Sequence, residues 1–470
     1  MSLKACVIGA GPNGLAAAIV LAQAGVQVDV LEAEQTAGGA VRTLELTLPG
    51  FRHDFGAAVY PLGVGSPFFS SLPLAEHGLE WIHSPAPLAH PLDDGTAVIL
   101  ERDLGAASDA LGSDGQAWDK LMRPFVERWT EFAPEVLRPV SLLPKHPLLM
   151  ARFGMLALQS AQALAGRFRS ERTRALIAGM AAHSFLALDE PLSGAFAMMM
   201  AVPAHAVGWP IPRRGAQSLT DALCGILGTF GTKVKTSSPV RSLAALESYD
   251  LLLCDVSPRT LAEIGGQRLS ENYKRGLRSY RYGAGAFKVD YALSVPIPWK
   301  ARECLRAATV HLGGSFEEIA ASEKAMRVGQ HAERPFVLLA QPSLFDASRA
   351  PADKHTAWAY CHVPNGSKED MLERLEKQIE RFAPGFRECV LARRVFSPEG
   401  LEGMDANLVG GDIAGGALDL GQFLFRPTWR QYGTSARDIY VCSASTPPGG
   451  GVHGMCGYHA ARKALARWRG

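Results

Sequence analysis

The chain has 470 residues, a formal net charge of +2 and eight cysteines. That length supports roughly two or three domains with cores of their own. The near-neutral balance, with no long basic block, gives no footing for nucleic-acid binding. Cys6, Cys224, Cys254, Cys304, Cys361, Cys389, Cys442 and Cys456 are scattered, with no C-x-x-C pair. This pattern argues against zinc or any other metal site and against a disulfide framework, and it fits a reducing compartment.

The apolar N-terminus is interrupted by Gly9, Gly11, Pro12 and Gly14, which break what would be the centre of a signal peptide. It reads instead as a first strand and helix, and the expected location is cytoplasmic. Cys6 to Ile8 suit a buried parallel strand, and Gly9, Gly11 and Gly14 then complete a G-x-G-x-x-G turn, with Pro12 and Asn13 inside it. Gly9 permits the tight turn, Gly11 lets backbone approach a pyrophosphate, and Gly14 lets the next helix pack closely on the strand. The N-terminus of that helix offers N–H groups and a positive dipole end to phosphates. Glu32 closes a second strand at the spacing of an acid that binds a ribose hydroxyl. Strand, turn, helix, strand and acid in this order predict a dinucleotide site. A second glycine pair, Gly38 and Gly39, follows, with Arg42 behind it to meet phosphate charge.

Beyond a turn at Pro49 and Gly50 lies the segment 51–58, which includes His53, Asp54, Gly56 and Ala57. From about 115 to 205 the pattern turns helical, with an amphipathic helix over 118–137 and another, rich in Ala, Leu and Met, over 148–169. Pro139, Pro144 and Pro147 punctuate the junction. The stretch 142–158 is apolar enough to touch a membrane surface, but Lys145, His146 and Arg152 rule out a spanning helix. Packing inside a cap is the plainer reading of it. Met198 to Met200 fit either an apolar ligand pocket or simple core filling. A Pro/Gly/Arg-rich loop over 209–215 precedes a helix over 218–227 and strands at 233–235 and 250–254. Further strands are expected at 336–340, 356–363 and 438–442. The last feeds a turn with Gly449, Gly450 and Gly451, then a helix from Val452. Three glycines in a row cost conformational entropy, so a ligand must approach that backbone closely or the chain must take positive φ.

The segments 4–43, 50–57, 211–217, 255–258 and 439–457 together resemble the phytoene desaturase-related FAD oxidoreductases, within the amine-oxidase-like flavoproteins. Residues 410–416, Gln422 and 425–427 add a likeness to the pyridine nucleotide-disulfide oxidoreductase domain 2-like branch. The resemblance implies an α/β fold: a Rossmann-type FAD-binding domain (1–110, 210–280 and 400–470) with an inserted substrate-binding domain, a mixed sheet plus helical cap (111–209 and 281–399). It implies FAD as cofactor. Gly9, Gly11 and Gly14 (with Pro12 and Asn13) would face the pyrophosphate, and Glu32 the adenosine ribose. Gly39 and Arg42 would lie on the phosphate and flavin side. Val240, on the strand after 236–239, would meet the adenine, Gly56 and Ala57 would pass near the flavin ring, and Gly450, Gly451 and Val452 would lie by the flavin and ribityl chain. The chain departs from many desaturases at Arg214, Gly215 and Ala216, which puts the backbone path of that loop in question.

The expected chemistry is hydride transfer between a carbon of an apolar, isoprenoid or lipid-like small molecule and flavin N5. His53, Asp54, His183, His205 and His453 are the titratable candidates, and His453, beside the glycine turn, is the candidate catalyst. No nucleophile elbow or Ser/His/Asp set appears. Desaturation is the first reading, a reductase or redox-neutral isomerase the second, and a non-catalytic flavin-fold binding protein the third. One dinucleotide fingerprint leaves no separate NAD(P)H domain, so the electron acceptor would be oxygen, a quinone or another small oxidant. Substrate identity and oligomeric state are not encoded in any motif.

Overall fold

A computed structural model describes residues 3–141 and 143–469. Leu142, which opens the apolar stretch 142–158, lies outside the described residues. The N-terminal unit forms as its sequence predicts. Strand β1 (Lys4–Ile8) runs into the glycine turn, helix α1 (Pro12–Gln23) follows with Pro12 in its first turn, and β2 (Gln27–Leu31) lies parallel to β1. β1 and β2 sit within a five-stranded parallel sheet completed by Leu251–Cys254, Ile439–Val441 and Val234–Lys235. α1 is buried from Asn13 to Ala22. Its small side chains let it pack against the helices Gln217–Thr229 and Met455–Arg469, so it carries no polar face.

The second unit is a mixed seven-stranded sheet in the order 390–396, 285–293, 355–363, 337–340, 307–312, 86–91 and 97–100. Only the pairing of Ala307–Leu312 with Ala86–Pro91 is parallel. The hairpin 86–100 therefore belongs to the larger sheet, although the sequence places it in the nucleotide-binding part, 1–110. Every residue from Ala86 to Pro91 is buried, and an apolar hairpin carries no local mark of the sheet it joins.

The cap is helical over 115–206, with shorter pieces than the sequence suggests. The expected helix 118–137 breaks after Val126, and a second helix runs Trp129–Val136. The break lets Phe132 turn onto Phe125 and Phe153, with ring centroids 5.1 and 5.0 Å away. The expected helix 148–169 becomes Pro147–Ala157 and Ala161–Ala165, because Ser160 caps the second piece by accepting from Ala163 N at 3.1 Å.

One buried cluster ties the two units together. Asp54 accepts from Thr43 Oγ1 (2.8 Å), from Ala216 N (2.8 Å) and from Arg349 Nη1 (3.1 Å), with Arg349 Nη2 on its other oxygen. Both members of the pair are fully buried, and Asp346 beside them accepts from Arg214 N at 2.7 Å. This cluster settles the path of the 213–217 loop. Arg214 and Gly215 take φ of 67° and 105°, which bring the loop against the Arg349 guanidinium. Arg349→Met would leave Asp54 as an unpaired buried charge, so it should cost about 3–5 kcal/mol in chemical denaturation. Asp54→Asn combined with Arg349→Met should recover part of that loss in a double-mutant cycle. A single-variant cost below about 1 kcal/mol would show that the pair does not hold the units together.

Candidate functional site

A cavity of about 1160 Å³ runs from the glycine turn after β1 to the inner face of the larger sheet. It exceeds the roughly 300–1,000 Å³ of ordinary small-ligand pockets, so it has room for a dinucleotide and a substrate together. The seat end is built on α1. Gly11 has no side chain to cap this helix, so the anion-attracting end of α1 faces the cavity, although the Gly14 N–H is taken by the Asp255 carboxylate at 2.8 Å. Gly9, Gly11, Pro12 and Asn13 line the cavity, and Asn13 Oδ1 is buried without a partner. Gly14 lies just behind the wall. A Cβ there would sit 2.1 Å from Gly9 O, so only glycine lets α1 start this close to the turn.

Glu32, buried at the end of β2, also lines the cavity. Its carboxylate is aimed by two backbone donors, Ala10 N at 2.7 Å and Glu34 N at 2.9 Å. Gly39 and Arg42 follow on the same wall. The Arg42 Nε and Nη2 donate to Gly39 O and Met404 O, both at 2.7 Å, and its guanidinium lies 5.3 Å from the centre of the Phe55 ring. Gly56, Ala57 and Val240 line the cavity as well. Val240, however, lies in a loop and not on a strand, because the strand at Val234–Lys235 ends two residues into its pairing with β2. Two carboxyls missing from the expected set adjoin this seat. Asp255 accepts from Gly14 N at 2.8 Å, and burial pushes its pKa up to about 8. Burial also raises the pKa of Asp405. A protonated Asp255 would spare a bound pyrophosphate from a like charge at the helix start.

Gly450, Gly451 and Val452 reach the cavity from the C-terminal turn. Gly451 has φ of 122°, so positive φ accounts for part of this glycine run. His453 also lines the cavity, but its Nδ1 accepts from Met455 N at 3.0 Å and caps the last helix. That cap explains why the helix starts at Met455 and not at Val452. Burial lowers the His453 pKa to about 4, so at neutral pH the ring is uncharged with one nitrogen already engaged.

The other end of the cavity is largely apolar. Phe153, Met199, Met200, Leu338, Trp358 and Tyr360 form much of it. The Met198 to Met200 run thus divides: Met198 is core, while Met199 and Met200 face the cavity. Two polar side chains stand out here. Lys288 is buried, paired with Asp290 and 5.6 Å from the ring centres of Trp358 and Phe396. His183 meets His311 through their Nε2 atoms at 3.0 Å, and burial lowers its pKa to about 3. Lys288 was missed at the level of sequence. The available signal was a Lys-x-Asp pair on one face of the otherwise apolar strand Gly285–Leu293. His53, Asp54 and His205 do not line the cavity. His205 is a core histidine, accepting from Trp118 Nε1 at 3.0 Å. No cluster of three or more metal-ligating side chains occurs among the described residues, and all eight cysteines are free.

The residues present fit FAD: the start of α1, with a buried Asp255 on its Gly14 N–H, the aimed Glu32 carboxylate, Arg42 and a glycine-lined wall share one cavity. Comparison with known proteins agrees. The family described as a NAD(P)-binding Rossmann-like domain matches residues 7–70. The chain is 26% identical to pyridine nucleotide-disulfide oxidoreductase domain-containing protein 2 of Mus musculus, over 97% of this chain and 92% of that protein. Over 135 residues, 29% of this chain and 24% of the relative, it is 30% identical to one subunit of the limonene dehydrogenase of Castellaniella defragrans. The fold is shared with putrescine oxidase, solved with putrescine bound, at a TM-score of 0.59 and 18% identity over 99% of both chains. Seat and likenesses together describe an oxidoreductase fold of the flavoprotein kind, with FAD as the cofactor.

The buried histidines give the folded chain a pH signature. Burial lowers His53 and His183 to about 3, and His90, His453 and His459 to about 4, from an ordinary 6.5. Below pH 6.5 the unfolded chain therefore takes up protons that the folded chain refuses, and stability falls until these low pKa values are reached. Asp255, at about 8, and Asp290, raised by burial to about 6 from 3.8, act oppositely, because the folded chain holds protons that unfolded carboxylates release. The buried His205 and His311 shift with these imidazoles, and Asp405 and Asp412 with these carboxyls, so the imidazoles remain in excess and the urea midpoint should fall as pH drops from about 7 to about 5. A midpoint that holds or rises over that range would contradict these neutral buried rings.

Proposed function

We propose that this flavoprotein-fold oxidoreductase dehydrogenates a C–C bond of an apolar, isoprenoid or lipid-like substrate. The observation that carries the proposal is the continuity of the dinucleotide seat with a cavity walled by Met199, Met200, Trp358 and Tyr360. FAD, when bound, supplies a hydride acceptor at flavin N5. The chain's own residues supply the rest. The apolar wall binds and orients a hydrocarbon and excludes water. His183, with its Nε2 toward His311, and Lys288, paired with Asp290, are polar side chains on that wall.

The likeness to a limonene dehydrogenase subunit supports this reading, since limonene is an isoprenoid hydrocarbon. Amine oxidation, the activity named for the fold neighbour putrescine oxidase, suits the cavity less well. A protonated amine entering it would lose its water against Phe153, Met199, Met200 and Leu338, where a charge is costly.

The test is anaerobic absorbance spectroscopy of the FAD-loaded protein mixed with isoprenoids and fractionated lipid extracts. Bleaching of the oxidised flavin bands by an apolar fraction is the expected result. Met199→Glu, which sets a carboxylate on the apolar wall, should slow that bleaching by roughly 10- to 100-fold while flavin stays bound. Bands that persist with every apolar fraction but bleach with NADPH would turn the assignment to a reductase or isomerase of an unsaturated substrate. Bands that respond to neither would leave a flavin-fold binding protein.

A further inference from the structure

We propose that residues 138–141 and 143–146 and the outer face of the helix Pro147–Ala157 seat this protein on an anionic lipid surface. The proposal rests on the cavity holding an apolar substrate and extends it to the place where that substrate is taken up. The helix is a partition. Its Met150, Phe153, Gly154 and Ala157 line the cavity, while Leu148 and Met155, seven residues apart and so on one face, point outward with 85% and 66% of their surface exposed. Leu143 extends the outer patch at 88% exposure, and Val140 and Leu158, at 61% and 62%, lie where it meets the cavity, which they also line. Single exposed leucines are ordinary, but five large apolar side chains grouped on the wall of an apolar cavity are a docking surface.

Charge identifies what docks. From residue 136 to residue 170 the chain carries Arg138, Lys145, Arg152, Arg167 and Arg169 and no aspartate or glutamate. Arg138 is paired with Glu135, and the other four are exposed. On the neighbouring helices, the carboxylates Asp119, Glu127 and Glu131 are matched by Arg123 and Arg128. Protruding apolar side chains set among unmatched cations suit insertion into the headgroup region of an anionic bilayer. They suit a second copy of the chain poorly, since a two-fold contact through this patch would set like charges against one another. A lipid-soluble substrate could then pass along the helix into the cavity without crossing water.

Flotation of the FAD-loaded protein with vesicles tests this, using phosphatidylcholine alone and phosphatidylcholine doped with phosphatidylglycerol. The protein should float with the doped vesicles and be released by salt. Leu143→Glu with Leu148→Glu, neither of which lines the cavity, should lower partitioning by about tenfold or more with flavin content unchanged. Lys145→Glu with Arg152→Glu should abolish the preference for the doped vesicles. Failure to float with doped vesicles, or flotation indifferent to the leucine substitutions, would overturn the proposal. So would a concentration-dependent dimer that the same leucine substitutions dissolve, without lipid binding. Flotation is read without turnover, so a protein that floats but is never reduced by apolar compounds would sink the dehydrogenase assignment and leave the docking surface standing.

Discussion

The buried Asp54–Arg349 pair fixes the geometry on which the site depends. Asp54 follows β2 in the chain, and Arg349 comes from the unit of the larger sheet. Their contact, with Thr43 and Ala216 on the same carboxylate, locks the meeting point of the two units. Arg42 lies one residue before Thr43, and Gly56 lies two after Asp54. Both line the cavity. A shift of this pair would therefore move the seat and the apolar wall of the cavity relative to each other. Burying two charges is costly, so their value is better read as fixing one arrangement than as adding stability.

The cavity's two ends have different chemistry because different elements build them. The seat is built around backbone: the start of α1, glycine turns, and a glutamate aimed by main-chain donors, with Asp255 accepting from the Gly14 N–H. Backbone donors suit a cofactor that every turnover shares. The far end is made of side chains from the larger sheet and the cap, chiefly aromatic rings and methionines. Side chains vary without disturbing the fold, so substrate choice belongs at that end.

The seat was legible in the sequence because its interactions are local. β1, α1, β2 and Glu32 lie within the first 32 residues, and each step follows from strand, turn and helix rules. The second half of the site was less legible, because it depends on contacts far apart in the chain. Lys288 gains its meaning only when Trp358 and Phe396 surround it. The hairpin 86–100 could be placed only once Ala307–Leu312 was beside it. His453 was found by its position next to three glycines, but its cap on Met455 N could not be read from that position. The helix breaks at 127–128 and 158–160 were missed for a similar reason, since aromatic packing and a serine cap outweighed a continuous helical pattern.

The most direct measurement is the flavin content of the purified chain after incubation with FAD and gel filtration, for the natural sequence and for Gly14→Val. About one FAD per chain should remain with the natural sequence. Gly14→Val, whose side chain would collide with the glycine turn, should elute folded but colourless. A natural chain that keeps no flavin, or a Gly14→Val chain that keeps as much, would show that the cavity at the start of α1 is not the cofactor seat.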